Sequence, residues 1–190
     1  MSGGAPFLIR PYDDADAESW LQCRLLSFFR TQYYDDVVVE RPRYTGPAIQ
    51  LVAVCDDQLV GLMDIEIDDA SATIEVIAVH PSYAGRGIGT ALLAEALPEL
   101  RPRHVATLDA WTREDDAANR WYLARGFLER FRYLHIHKEW DEDDAGFASP
   151  VGLSTPIRAL VHAPIEREAE LRSRFGRVYV CRQYVLEFSG

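Results

Sequence analysis

The chain has 190 residues, 30 acidic against 20 basic, for a net charge of −10. That balance disfavours nonspecific binding to nucleic acid or anionic membrane and leans toward a cationic partner. Hydrophobic content of 48% and charged content of 26% fit one globular domain over 1–190, and no apolar run approaches the ~18 residues of a membrane span.

Residues 1–6 lack the charged and apolar regions of a secretory leader. Cys23, Cys55 and Cys181 are odd in number, far apart and without a C-x-x-C, so they read as reduced packing residues and a cytoplasmic location is expected. Residues 7–10 read as a strand, and Asp13, Asp14 or Asp16 can cap a helix running to about position 29, with Leu21, Leu25 and Phe28 at helical spacing. An irregular segment with Tyr33, Tyr34, Tyr44, Pro42 and Pro47 follows. Residues 49–55 and 58–67 read as two strands joined at Asp56-Asp57, a hairpin signal.

The run Ile74-Glu75-Val76-Ile77-Ala78-Val79 reads as a strand because it is β-branched and ends at His80-Pro81. Gly85, Gly87 and Gly89 follow at alternate positions, then a helix marked by Ile88, Leu92, Leu93, Ala96 and Leu97. Residues 104–111 predict a fifth strand and residues 115–125 a helix, with Gly126 just past its end where positive φ suits only glycine. Residues 128–137 predict a sixth strand and 177–188 a closing one, apolar enough to pair with another copy at an edge in a homodimer.

A strand feeding a glycine-rich turn that opens a helix presents unpaired N–H groups at the positive helix end, a place for phosphate oxygens. The dinucleotide fingerprint would need glycine where Thr90 stands, and the P-loop ending Gly-Lys-Ser/Thr does not occur. The order His80-Pro81-x-x-x-Gly85-x-Gly87-x-Gly89-x-x-Leu92-Leu93 does resemble motif A of the GCN5-related N-acetyltransferases, the GNAT family. Downstream, Asp115 to Phe127, ending Tyr122-x-x-x-Gly126-Phe127, resembles motif B of the same family.

The resemblance spans roughly residues 74–127 and implies an α/β fold: a central mixed sheet flanked by helices, in the order β-α-β-β-β-α-β-α-β-β. It also implies acetyl-CoA as acyl-donor cosubstrate. Donor binding then falls to Ile77, Ala78 and Val79 on the strand and to Ala84, Gly85, Arg86, Gly87, Ile88, Gly89 and Thr90 in the loop and helix start. The family carries Gln or Arg where Ala84 stands, so Arg86 is the candidate for the missing charge, with Arg101 and Arg103 completing a basic patch. It carries Asn where Asp115 stands, and Asn119 on the same helix face is the candidate for that contact.

Acyl transfer to an amine needs a base for the ammonium proton, donors for the oxyanion and an acid for the leaving thiolate. Glu75 is the candidate base: it is the charged residue in a strand whose two faces both read as buried, where a carboxylate needs either a purpose or a partner such as an arginine. Tyr122 is the candidate acid, matching the family's motif B tyrosine, with aromatic packing as its bland reading. By resemblance, the backbone N–H near Val79 faces the oxyanion. No cysteine or serine sits in a nucleophilic setting, which favours direct attack.

Residues 138–176 form an insertion before the last strand, with an acidic cluster (Glu139, Asp141, Glu142, Asp143, Asp144) and a helical stretch at 165–175. The cluster reads as a solvated linker or as a rim attracting a cationic acceptor, and the insertion together with residues 28–44 is expected to shape the acceptor pocket. His135 and His137 alternate on one strand face, but no further ligand set accompanies them and no metal is expected. Trp111, Trp121, Tyr179 and Tyr184 read as packing, and His80 as a turn residue. The function expected is an acetyl-CoA-dependent N-acetyltransferase acting on an amine; the alternative is a non-catalytic acyl-CoA-binding sensor or interaction module.

Overall fold

Apolar strands alternating with amphipathic helices build one eight-stranded mixed sheet, ordered β1-β2-β3-β4-β5-β8-β6-β7. The computed structural model describes residues 6–188; residues 1–5, on which most of the leader reading falls, lie outside the described residues. The strands are β1 (Leu8–Pro11), β2 (Ala48–Cys55), β3 (Gln58–Asp68), β4 (Ser71–Val79), β5 (Thr107–Thr112), β6 (Leu128–Lys138), β7 (Ala159–Ala163) and β8 (Arg177–Glu187). The helices are α1 (Ala17–Phe28), α2 (Ile88–Leu100), α3 (Asp116–Ala124) and α4 (Glu168–Arg174).

Local signals place the early elements. A capping box formed by Asp13 and Asp16 starts a short 3-10 turn that runs into α1. Asp56 and Asp57 both take positive φ, +48° and +61°, as the tight turn between β2 and β3 requires. On one sheet face α2 buries Leu92, Leu93, Ala96 and Leu100 against Leu51, Met63 and Ile65, each buried aliphatic side chain stabilising by roughly 1.5–3 kcal/mol. On the other face α1 packs Trp20 and Cys23 onto Val52, Leu62, Val76 and Ala78. The three cysteines are free and buried.

The second half of the sheet differs from the sequence expectation. The closing strand is not at an edge: β8 lies between β5 and β6, antiparallel to both, so its N–H and C=O groups are used within the sheet. An eighth strand, β7, pairs with β6 from inside the insertion. Its five residues, mostly exposed, carry no alternating burial signal that periodicity could find. The fifth strand begins at Thr107 rather than His104, because His104 ends a 3-10 turn in the left-handed region at φ +59°.

The insertion is folded onto the sheet. Leu171 and Phe175 from the α4 segment bury against Leu134, Ile136, Val178 and Val180 as a third apolar cluster. Four of its five clustered acidic residues are engaged within the fold, although Asp141, Asp143 and Asp144 stay exposed. Glu139 pairs with Arg177 at 3.1 Å and Arg158 at 2.8 Å, Asp143 with Arg174 at 3.0 Å, and Asp144 with the buried Lys138 at 2.9 Å. Glu142 accepts from the Glu139 and Gly176 amides. No helix among the described residues is long and apolar enough to cross a membrane.

Candidate active site

The parallel ladder between β4 and β5 runs from Ser71↔Thr107 to Ile74↔Ala110 and stops. Beyond that rung the strands part, and the wedge between them is a cavity of about 590 Å³ floored by Ile77, Ala78 and Val79. The His80 amide donates to Val60 O on β3 at 2.9 Å. Successive N–H groups of a strand alternate sides, so the amides of Val79 and Ile77 face the wedge and lack a ladder partner.

The bulge in β4 sits at the mouth of this wedge. Asp64 pairs with Val76 and Ile65 with Ile74, leaving Glu75 as the extra residue. The bulge reverses the alternation: Ala72 and Ile74 pack on the α2 side, whereas Val76 and Ala78 pack on the α1 side. Glu75 is therefore exposed rather than buried between two apolar faces, and no arginine pairs with it among the described residues. Partial desolvation, then the nearby Glu66 and Asp109 carboxylates, hold its carboxyl above the ordinary glutamate range. Asp109 is fixed by Thr73 Oγ1 and Gln183 Nε2, each at 2.9 Å.

The glycine loop closes one end of the wedge. Gly85 and Gly87 adopt φ +76° and +82°, and Gly87 caps α2 with no side chain filling the cap. The amides of the first turn of α2 are thus left for an external acceptor. The approach is tight beneath: a Cβ on Gly61 of β3 would lie 2.6 Å from Ile88 Cγ2, so a glycine there lets the helix start sit on the sheet. Ala84, Gly85, Gly87, Ile88, Gly89 and Thr90 all line the wedge.

Helix α3 forms the opposite wall. Asp115 accepts from the Ala118 amide at 2.8 Å as its cap. Tyr122 is buried, stacked on Tyr184 (5.3 Å, 12°) and edge-on to Trp121 and Phe127, yet it lines the wedge. Burial first, and then Tyr33, raise its hydroxyl well above the usual tyrosine value, so it remains a donor at neutral pH. Tyr33 reaches the site because Arg113 fixes the segment after α1: its amide donates to Tyr33 Oη at 2.8 Å and its Nη1 to Gln32 O at 2.6 Å. Phe28, the last residue of α1, and Thr31 and Asp36 from the segment after it line the wedge.

Some expected residues lie elsewhere. Asn119 is not in the wedge: it donates to Arg113 O at 3.2 Å and accepts from Tyr184 Oη at 2.9 Å, so both ends of its amide are used inside the protein. Arg86 folds back over Tyr83 and donates to Ser82 O, away from the lining. Arg101 and Arg103 follow the C-terminal end of α2, which at 1.5 Å per residue puts them ~20 Å from its uncapped amides, and Arg103 borders an acidic groove instead.

Two cations line the wedge: Arg24, engaged by Asp36 at 3.2 Å, and Arg125, which no motif marked. The latter donates from Nε to Thr90 Oγ1 at 3.1 Å, bridging the end of α3 to the start of α2. Its position immediately before Gly126 was the available signal. Of the sequence's histidines, His80 does hold its turn, accepting from the Ser82 amide. His135 lies in an aromatic cluster, with burial, then Arg113, lowering its pKa to about 4, and no group able to hold a metal occurs among the described residues. Trp111, expected as packing, is 40% exposed.

A mixed sheet splayed between β4 and β5, with a glycine loop feeding an uncapped helix at the opening, defines an acyl-CoA-type transferase fold. The chain belongs to the GNAT family: the family model described as "Acetyltransferase (GNAT) family" matches residues 12–127. A mycothiol acetyltransferase from Clavibacter michiganensis is 32% identical over 83 residues, 44% of this chain but only 27% of that protein. An acetyltransferase from Yersinia pestis is 30% identical over 114 residues, 58% of this chain and 79% of its own length. The PaiA N-acetyltransferase of Thermoplasma acidophilum, solved with coenzyme A, superposes with a TM-score of 0.56 at 16% identity over 66% of this chain and 91% of that one.

Proposed function

We propose that the protein is an N-acetyltransferase that moves the acetyl group of acetyl-CoA directly to an amine. The observation that carries this reading is the coincidence, in one wedge, of uncapped α2 amides, unpaired β4 amides and a carboxylate of raised pKa. The residues fit the donor. The amides of Ile88, Gly89 and Thr90 suit pyrophosphate oxygens, Arg125 supplies the charge that Ala84 lacks, and Ile77 to Val79 suit the amide-bearing arm. Bound there, acetyl-CoA supplies an activated acyl carbon with a thiolate leaving group.

The chain's own groups then divide the work. Glu75 takes the proton that the incoming ammonium must lose, a role its raised pKa suits. The Val79 amide stabilises the negative charge developing on the carbonyl oxygen. Tyr122 donates its hydroxyl proton to the departing sulfur, and the second proton lost by the nitrogen as the tetrahedral intermediate collapses restores the tyrosine hydroxyl, so that amide and free thiol leave with no acyl-enzyme. Arg113 and Tyr33 are positioning residues, holding the 28–36 segment over the reacting centre.

The test is thiol release from acetyl-CoA across a panel of amines. An acceptor whose release collapses in Glu75→Gln and Tyr122→Phe supports the reading. Saturable acetyl-CoA binding with a flat panel sinks it in favour of a sensor.

A further inference from the structure

A second cavity, an open trough of about 850 Å³, adjoins the wedge, and Trp111 borders both. Its floor is aromatic. Trp111 lies 6.2 Å from Phe131 and 5.6 Å from Tyr133 between ring centroids, and His162 stands 4.8 Å from Tyr133. Phe131 is 56% exposed, so a large apolar ring is left in water beside a site for a small molecule. Tyr133 is held in place by His135, whose Nε2 is 2.9 Å from the tyrosine hydroxyl. His162 and Glu166, from the insertion, form the far wall.

Charge along this surface is one-sided. Arg130 is taken by Glu187, and Arg132 by Glu129 at 2.6 Å. Glu75, which lines the wedge, and Glu166, in the trough, have no salt-bridge partner among the described residues. Glu66 and Asp109 add negative charge near Glu75, although Glu66 borders the neighbouring groove with Arg103 and Asp109 already accepts from Thr73 and Gln183. Unneutralised carboxylates beside exposed flat rings suit a cation joined to a planar apolar body. A linear polyamine would answer the carboxylates and leave the rings wet.

We infer that the acceptor is an arylalkylamine, its ammonium at the Glu75–Asp109 end and its ring laid on Trp111, Phe131 and Tyr133. The inference rests on the transferase reading for the fate of the amine, but the binding step stands apart from turnover. The experiment is calorimetric titration of 2-phenylethylamine, butylamine and 1,5-diaminopentane into the protein saturated with CoA. The phenyl compound is expected to bind about tenfold tighter than butylamine. Phe131→Ala is expected to remove about that factor for the phenyl compound alone, and Phe131→Leu to restore part of it. Because Phe131 is mostly exposed and outside the wedge, CoA affinity and melting temperature serve as controls for an intact fold.

Equal binding of the three amines, tighter binding of the diamine, no binding of the phenyl compound, or indifference to Phe131→Ala overturns the inference. Aryl-selective binding without thiol release would leave it standing and overturn the transferase reading instead.

Discussion

The Nε of Arg125 donates to Thr90 Oγ1 at 3.1 Å, tying the last turn of motif B to the first turn of motif A. The link places a guanidinium beside the uncapped helix amides, on the same wedge that Ala84 lines. Arg125→Ala is expected to weaken acetyl-CoA binding by about tenfold, the loss of one charge-assisted contact. Because Arg125 is exposed, the melting temperature should barely move. Arg86→Ala, by the same measurement, should leave affinity close to wild type, since Arg86 is turned onto Tyr83.

Gly87 stands at φ +82°, and a Cβ added there would meet nothing within 4 Å, so alanine meets backbone strain and no clash. Gly87→Ala is expected to lower stability by about 1–2 kcal/mol. It should also weaken donor affinity as the α2 amides shift. Denaturant unfolding and equilibrium binding check the two effects separately.

The carboxyl of Glu75 is raised by desolvation and then by Glu66 and Asp109. As a base it works only when ionised, so kcat/KM should rise with pH through an acid limb above ~4.3, the ordinary glutamate value. Glu66→Gln removes one like charge, lowers the Glu75 pKa and should move that limb to lower pH. A limb that stays put would assign it to another group. The sign reverses for stability: the folded state binds this proton more tightly than the unfolded state, so this contribution fades as pH rises through the raised value.

His135 runs the other way, with its pKa lowered to about 4 by burial and Arg113. Between that value and the ordinary ~6.5 the unfolded chain binds more protons than the folded one, so stability should fall as pH drops across this window. His135→Phe is expected to flatten that part of the stability profile, measured by urea unfolding from pH 7 to 4.

Phe175 anchors the insertion to the sheet, buried against Leu134, Val178 and Phe147. Phe175→Ala should destabilise by roughly 3–5 kcal/mol in a single cooperative transition if this cluster unfolds with the rest. A separate early transition would show that residues 138–176 are an independent unit.

The sequence signals were strongest where local chemistry is self-contained. The Gly85–Gly89 turn, the Asp56-Asp57 hairpin and the helix ending at Gly126 each need only their own residues to be read. The failures share a cause, which is dependence on partners far along the chain. Glu75 was read as buried because its neighbours are apolar, but the β-bulge that turns it out depends on pairing with Asp64 and Ile65. Asn119 shares a helix face with Asp115, where the family carries Asn, which makes it the sequence's candidate for the acyl-donor contact, yet Arg113 O and the Tyr184 hydroxyl use both ends of its amide. In the acidic cluster at 139–144, Glu139 and Asp143 are paired by arginines at 158, 174 and 177, far enough along the chain that spacing does not reveal them.

The most direct measurement of the central claim is the fate of the acetyl group in a single turnover. Protein in excess is mixed with acetyl-CoA and a phenyl-bearing amine, quenched, and the intact masses of protein and amine are followed in time. The account expects the acetyl group on the amine, none on the protein at any time, and strongly slowed transfer in Glu75→Gln. Acetyl-CoA that stays bound and intact in the presence of every amine, or an acetylated protein that precedes the product, would contradict it.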